Sequence, residues 1–132
     1  MSEIANVYFI NPPDTFLEHA GDRPPLGLAY LSGYLKKFNH KTKIIDMNHD
    51  RLDIDEVIKD DPDFVCFTIP TPNYNEAVEL ANEFKKKGIK IIAGGNHVAG
   101  YPNEPKTLAI FDYVVTGTDG EEALKRIVEG QI

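Results

Sequence analysis

Two glycines and a polar pair, Gly94-Gly95-Asn96-His97, close the apolar run Lys90-Ile91-Ile92-Ala93. A strand that ends in paired glycines leaves bare backbone that a ligand can approach closely. Similar small or hydroxyl-bearing residues follow the other apolar runs. Thr68, Thr71 and Pro72 come after Phe64-Val65-Cys66-Phe67, Gly117, Asp119, Gly120 and Glu121 come after Tyr113-Val114-Val115-Thr116, and Asn11 and Pro12 come after Val7-Tyr8-Phe9-Ile10. Such a set suits a large, mostly uncharged cofactor tail lying between backbone segments, with any phosphate at a helix N-terminus. It offers little acid–base chemistry. Glu121 and Glu122 could form a catalytic pair by type alone, but acidic residues in a helix's first turn ordinarily serve the dipole, and no catalytic residue is assigned.

The histidines and the single cysteine narrow the chemistry further. His97 follows the double glycine, where it is either a ligand contact or a polar loop residue. His19 and His40 read as solvent-exposed, and His49 follows Asp46-Met47-Asn48 at the end of a strand. No two histidines share a metal-ligand spacing, so an autonomous metal site has no support. Cys66 sits inside an apolar run, where a buried thiol is far commoner than a reactive one, and alone it cannot build a disulfide, zinc site or iron–sulfur cluster.

Familiar nucleotide motifs are missing. A nicotinamide site needs Gly-x-Gly-x-x-Gly after the first strand, but Asn11-Pro12-Pro13 stands there, and prolines have no N–H for a pyrophosphate. No Gly-Lys-Ser/Thr phosphate loop occurs. A receiver domain would place an aspartate after the third strand and a lysine after the fifth; Thr68-Ile69 and Thr116-Gly117 occupy those places. The Ser/Thr/Gly-rich loop that would hold a flavin phosphate is also missing after the first strand.

The elements that must position these residues alternate along the chain. Strand-like runs at 7–10, 42–46, 64–69, 89–93 and 113–116 alternate with helical periodicity at 26–38, 54–60, 74–87, 106–111 and 121–129. The strand runs are continuously apolar, as expected when helices cover both faces of a parallel sheet. Strand order cannot be read from these runs, but five strand–helix units without a sixth strand fit a five-stranded flavodoxin-like sandwich of order 2-1-3-4-5, the expectation here, with the loops after strands one, three, four and five forming a binding rim. Leu28, Leu31, Leu35 and Phe38 should form one apolar face, Thr71 or Asn73 should cap the third helix and Gly88 end it, and Asp119 should cap the last helix. The Pro-rich stretch 11–25 is the longest loop and a second place to look for a site.

Composition agrees with one domain over 1–132. A chain of 132 residues buries about two thirds of its unfolded surface around a single core. A net charge of -7 without a basic patch speaks against nucleic acid as a partner. No apolar run approaches the ~18 residues of a membrane helix and no signal sequence opens the chain, so a cytoplasmic protein without a membrane partner is expected.

The residues also resemble a known family: the cobalamin-binding domain at the N-terminus of many radical S-adenosylmethionine (SAM) enzymes, including B12-dependent methyltransferases and the anaerobic magnesium-protoporphyrin monomethyl ester cyclase group. The likeness rests on Asn11-Pro12-Pro13, on Pro24-Pro25-Leu26-Gly27-Leu28-Ala29-Tyr30-Leu31, on Gly94-Gly95-Asn96-His97 and on Gly117-Thr118-Asp119-Gly120-Glu121-Glu122. Pro62-Asp63-Phe64 through Thr68, with Thr71-Pro72, resembles the family's third strand and loop. The resemblance implies a flavodoxin-type fold that holds the cobalamin tail between loops three, four and five and supports the corrin at the strand ends. It implies contacts at Asn11, Pro12, Leu26, Gly27, Thr68, Thr71, Pro72, Gly94, Gly95, His97, Gly117, Asp119, Gly120 and Glu121.

The chain departs from family patterns in three places. The methionine-synthase type carries Asp-x-His-x-x-Gly after strand one, and Asp14-Thr15-Phe16-Leu17-Glu18-His19 does not match it; a base-off cobalamin without that histidine ligand is implied. Thr118-Asp119 stands where the fifth loop usually reads Gly-Glu-Gly-Glu. One cysteine cannot hold a 4Fe-4S cluster, so the cluster and S-adenosylmethionine belong to a radical SAM barrel in a longer enzyme or another chain. The alternative is a degenerate interaction or sensor domain that kept the fold and lost the cofactor. A bulky residue at Gly95 is expected to separate the two by abolishing cobalamin uptake without unfolding.

Overall fold

The computed structural model describes residues 4–12, 26–69, 72, 74–101, 103–116 and 120–131, without the side chains of residues 26, 27, 96 and 99. Five parallel strands form its centre: β1 (Asn6–Asn11), β2 (Lys41–Asp46), β3 (Phe64–Thr68), β4 (Lys90–Gly94) and β5 (Tyr113–Val114). Their order is β2-β1-β3-β4-β5, the order expected from the sequence. The three inner strands are buried through their middles, whereas β2, at one edge, exposes Lys41 and Lys43. Lysines on an edge strand discourage pairing with another chain.

Alternation along each strand divides the apolar residues between two cores. Tyr8, Ile10, Val65, Phe67, Ile91 and Ala93 face α2 (Ile54–Lys59), α3 (Tyr74–Lys86), α4 (Asn96–Gly100) and α5 (Pro105–Ile110), whose Val57, Ala77, Ala81, Phe84 and Val98 complete that core. On the other face Val7, Phe9, Cys66 and Ile92 meet Leu28 and Leu35 of α1 (Leu26–Lys36) and Leu124, Ile127 and Val128 of α6 (Gly120–Val128). Cys66 is buried, and burial pushes its thiol up to about 12. It is a core residue and not a nucleophile.

Local chemistry sets the helix ends. Asp53 caps α2 by accepting the N–H groups of Asp55 and Glu56. Gly88, at φ +81°, ends α3: its N–H bonds to Lys85 O, and that of Ile89 reaches back to Phe84 O. This pair of bonds closes the last turn and requires the left-handed conformation that glycine adopts at little cost. The proposed caps at Thr71, Asn73 and Asp119, and the loop at 13–25, lie outside the described residues.

Two expectations about elements need correction. Helix α1 stops at Lys36, because Asn39 turns left-handed at φ 69° and its N–H bonds to Lys36 O. Phe38 therefore leaves the apolar face; it is 41% exposed and lies under Lys125, whose Nζ is 4.4 Å from the ring centroid. The stretch after Gly95 is a short helix, α4, instead of an open loop.

Candidate functional site

The carboxyl ends of the strands form one edge of the molecule. From β1 the chain moves outward to β2, then returns across to β3, so the ends of β1 and β3 flank the switch point where open α/β sheets bind ligands. Asn11 ends β1 and is followed by buried Pro12; Thr68 ends β3; Gly94 ends β4. Beyond β5, Val115 donates its N–H to Ala93 O at 2.8 Å, which carries the edge on towards Gly120 at the start of α6.

The ends of β3 and β4 are tied together. Thr68 pairs with Gly94, Ile69 N–H donates to Gly94 O at 2.8 Å, and His97 N–H donates to Ile69 O at 3.0 Å. Gly95, at φ +100°, sits where a Cβ would lie 2.6 Å from Ile69 N and 3.1 Å from both Ile69 O and Thr68 Oγ1. Its missing side chain is thus accounted for by the neighbouring main chain. A bulky residue at Gly95 would collide with protein backbone, so the expectation that it would spare folding is corrected. Gly94 is different: a Cβ there meets only Val115 O, at 3.9 Å, and one at Gly120 meets Val115 Cγ1 at 3.8 Å. A side chain at Gly94 or Gly120 would thus meet Val115 at ordinary contact distance and without a clash.

His97 lies on α4 and its side chain is buried. Its Nε2 is 2.8 Å from Glu104 Oε1, and its ring stacks on Tyr74 with centroids 4.1 Å apart. Tyr74 OH in turn lies 2.8 Å from Thr107 Oγ1. Burial raises the Tyr74 phenol above its ordinary range. This stack anchors α4, and with it the β3–β4 junction, to α3 and α5. Glu104 was not singled out from the sequence, because a glutamate just before Pro105 carries no local sign of a histidine partner.

A second polar group joins β1 and β2. Asn11 pairs in register with Asp46, and its Nδ2 donates to Asp46 Oδ1 at 3.1 Å. The same oxygen accepts Asn48 N–H at 3.1 Å and Asn48 Nδ2 at 3.0 Å. Exposed His49 places Nε2 4.0 Å from Asp46 Oδ2. The Asp46-x-Asn48 spacing was a readable Asx-turn signal for this group.

The remaining expected residues are spread along the edge. Leu26 and Gly27 open α1, Pro72 is exposed, and Glu121 is half-buried in the first turn of α6. Thr71, Gly117 and Asp119 lie outside the described residues. Beside Glu121, Glu122 accepts from Tyr34 OH at 3.0 Å and Arg126 Nε at 3.2 Å, and these donors, Tyr34 first, hold its carboxyl below the usual range.

His40 is corrected from exposed to buried. Its Nδ1 accepts Ala5 N–H at 3.0 Å, and its Nε2 is 2.9 Å from Glu129 Oε2 at the opposite edge of the sheet. Near that edge a cleft of about 820 Å³ opens between Ala5, Phe64, Tyr113 and Val128, away from the strand ends considered above. Among the described residues no group of three His, Cys, Asp or Glu side chains could hold a metal ion. No described helix is long and apolar enough to cross a membrane.

A family model for the B12 binding domain matches residues 14–128. The chain belongs to the B12-binding domain family. Among solved structures, this B12-binding domain is similar to the cobalamin-dependent S-adenosylmethionine radical enzyme OxsB, a structure with aqua-cobalamin and S-adenosylmethionine bound. The TM-score is 0.71 at 20% identity, over 98% of this chain and 19% of that one. The chain thus spans about a fifth of that enzyme's length, and the likeness establishes a shared fold. A comparison with curated proteins gave no match.

Proposed function

We propose that this B12-binding domain holds cobalamin at the carboxyl edge of its sheet for a radical SAM catalytic domain outside this chain. The observation that carries the reading is the bare backbone of Gly94 and Gly120, both beside Val115 and both tolerant of an added Cβ, in a chain of this family. Asn11, Thr68, Gly94 and Gly120 would line the cofactor, with Pro12, Leu26, Gly27, Thr71, Pro72, Gly117, Asp119 and Glu121 around them. Gly95 and His97 support this edge from within: one lets β3 and β4 close together, and the other fixes α4 through Glu104.

When bound, cobalamin would supply the cobalt chemistry, in the base-off form that the family resemblance implies; the protein would supply binding and orientation. S-adenosylmethionine and a 4Fe-4S cluster would belong to the partner barrel, since the single cysteine here is buried. A methyltransferase or cyclase in the cytoplasm is the proposed setting. The alternative, an interaction or sensor domain without cofactor, draws on the same two residues, because protein contacts already account for Gly95 and His97.

Gly94→Val separates the readings. A visible-spectrum titration with hydroxocobalamin should show binding by the wild-type protein and at least about tenfold weaker binding by the variant, the scale of a modest overpacking penalty. The variant should unfold like the wild type. Equal affinity in the two proteins would remove Gly94 from the site, and no binding by either would favour the cofactor-free domain.

A further inference from the structure

We infer that Asp46 is a positioning residue that turns the Asn11 side chain so that this edge offers a hydrogen-bond acceptor, selecting a carboxamide or other N–H donor on the ligand over a carboxylate. This rests on the proposed cobalamin reading, whose corrin ring carries carboxamide side chains. Asp46 is buried at the end of β2, and its Oδ1 accepts the backbone N–H of Asn48, a group that can only donate. Oδ1 is therefore an acceptor, and Asn11, 3.1 Å away, must present its NH2 to it. The choice between the two orientations of the Asn11 amide is fixed by this chemistry. One N–H of the NH2 is spent on Asp46, and the carbonyl Oδ1, the acceptor end of the amide, is held on the side away from it.

The position makes that choice matter. Asn11 is the last residue of β1, beside the switch point, and its own backbone carbonyl is taken by Met47 N–H at 3.0 Å. Asp46 is held in turn by both Asn48 donors, and its own carbonyl accepts the N–H groups of His49 and Asp50. A ligand group meeting Asn11 is thus read by a carbonyl oxygen whose direction the β2 turn has set. A carboxylate placed there would face an acceptor and lose its hydrogen bond, which is how buried polar sites reject near-isosteres.

The test compares hydroxocobalamin with its monocarboxylate isomers, each with one carboxamide hydrolysed, by visible-spectrum titration of the wild type, Asp46→Ala and Asn11→Ala. The wild type should bind one isomer about tenfold more weakly than hydroxocobalamin, the scale of one lost hydrogen bond with its partner left unpaired. Asp46→Ala, which removes the acceptor altogether, should reduce that preference to about threefold or less because the Asn11 amide can then turn over. Asn11→Ala should abolish the preference, and the double variant should lose no more than Asn11→Ala alone. A merely structural role for Asp46 would weaken every isomer alike and leave the ratio unchanged, which would overturn the inference. So would a wild type that binds every isomer as well as hydroxocobalamin. A wild type that binds no corrinoid overturns the cobalamin reading instead.

Discussion

Gly95 and Gly94 are adjacent and chemically identical, yet the fold uses them for different purposes. Gly95 combines a φ of +100° with a virtual Cβ 2.6 Å from Ile69 N, so Gly95→Ala should lower unfolding free energy by roughly 2 kcal/mol or more in urea denaturation. Gly94→Ala, with its nearest neighbour at 3.9 Å, should unfold within about 0.5 kcal/mol of the wild type. Equal losses at the two positions would contradict the close contact with Ile69. The pair was legible in the sequence as a special stretch of backbone, but its occupant was not: glycine carries no sign of what fills its space, and Ile69 lies far away along the chain. His40 failed for a related reason. Its partners, Ala5 and Glu129, are 35 and 89 residues away. Cys66 was read correctly because its neighbours in the run are apolar; a thiol pushed up to about 12 should resist iodoacetamide in the native protein and react only as the chain unfolds.

At the scale of elements, α6 is joined to the start of the sheet by Glu129. Lys125 Nζ at 2.8 Å, and then His40, hold its carboxyl below the ordinary value of 4.5. A carboxyl whose folded pKa is depressed contributes stability that is complete above the unfolded pKa and is lost as pH falls through the folded one. The stability gap between the wild type and Glu129→Gln should therefore be full above about pH 5 and close as the pH falls below the ordinary value of 4.5. A gap that is constant from neutral to acid pH would remove the linkage. The helices and strands themselves were legible because their signals are local: continuous apolar runs for buried strands, and Gly88 after three lysines for the end of α3. Helix α4 was not, since five residues after a double glycine contain too few turns to show a period. Phe67, in β3, is fully buried and packs against Phe84 and Phe111; Phe67→Ala should cost about 3–5 kcal/mol in the same denaturation assay.

For the molecule as a whole, strand order cannot be read from the strand sequences themselves, but five strand–helix units with no sixth strand fit the flavodoxin-like order, and the sheet has that order. The candidate site was legible in outline, as strand ends rich in glycine and hydroxyl groups. Its bracing was not: Asp46 beneath Asn11, and Glu104 with Tyr74 around His97, arise from tertiary contacts. The chain covers 19% of the length of the cobalamin-dependent radical enzyme whose fold it shares. What this chain can be asked directly is whether it holds the cofactor. Purified protein mixed with hydroxocobalamin, passed through gel filtration and read by visible spectrum should carry a stoichiometric amount of corrin in the protein peak, with the base-off spectrum. Corrin eluting wholly in the small-molecule fraction would contradict the account.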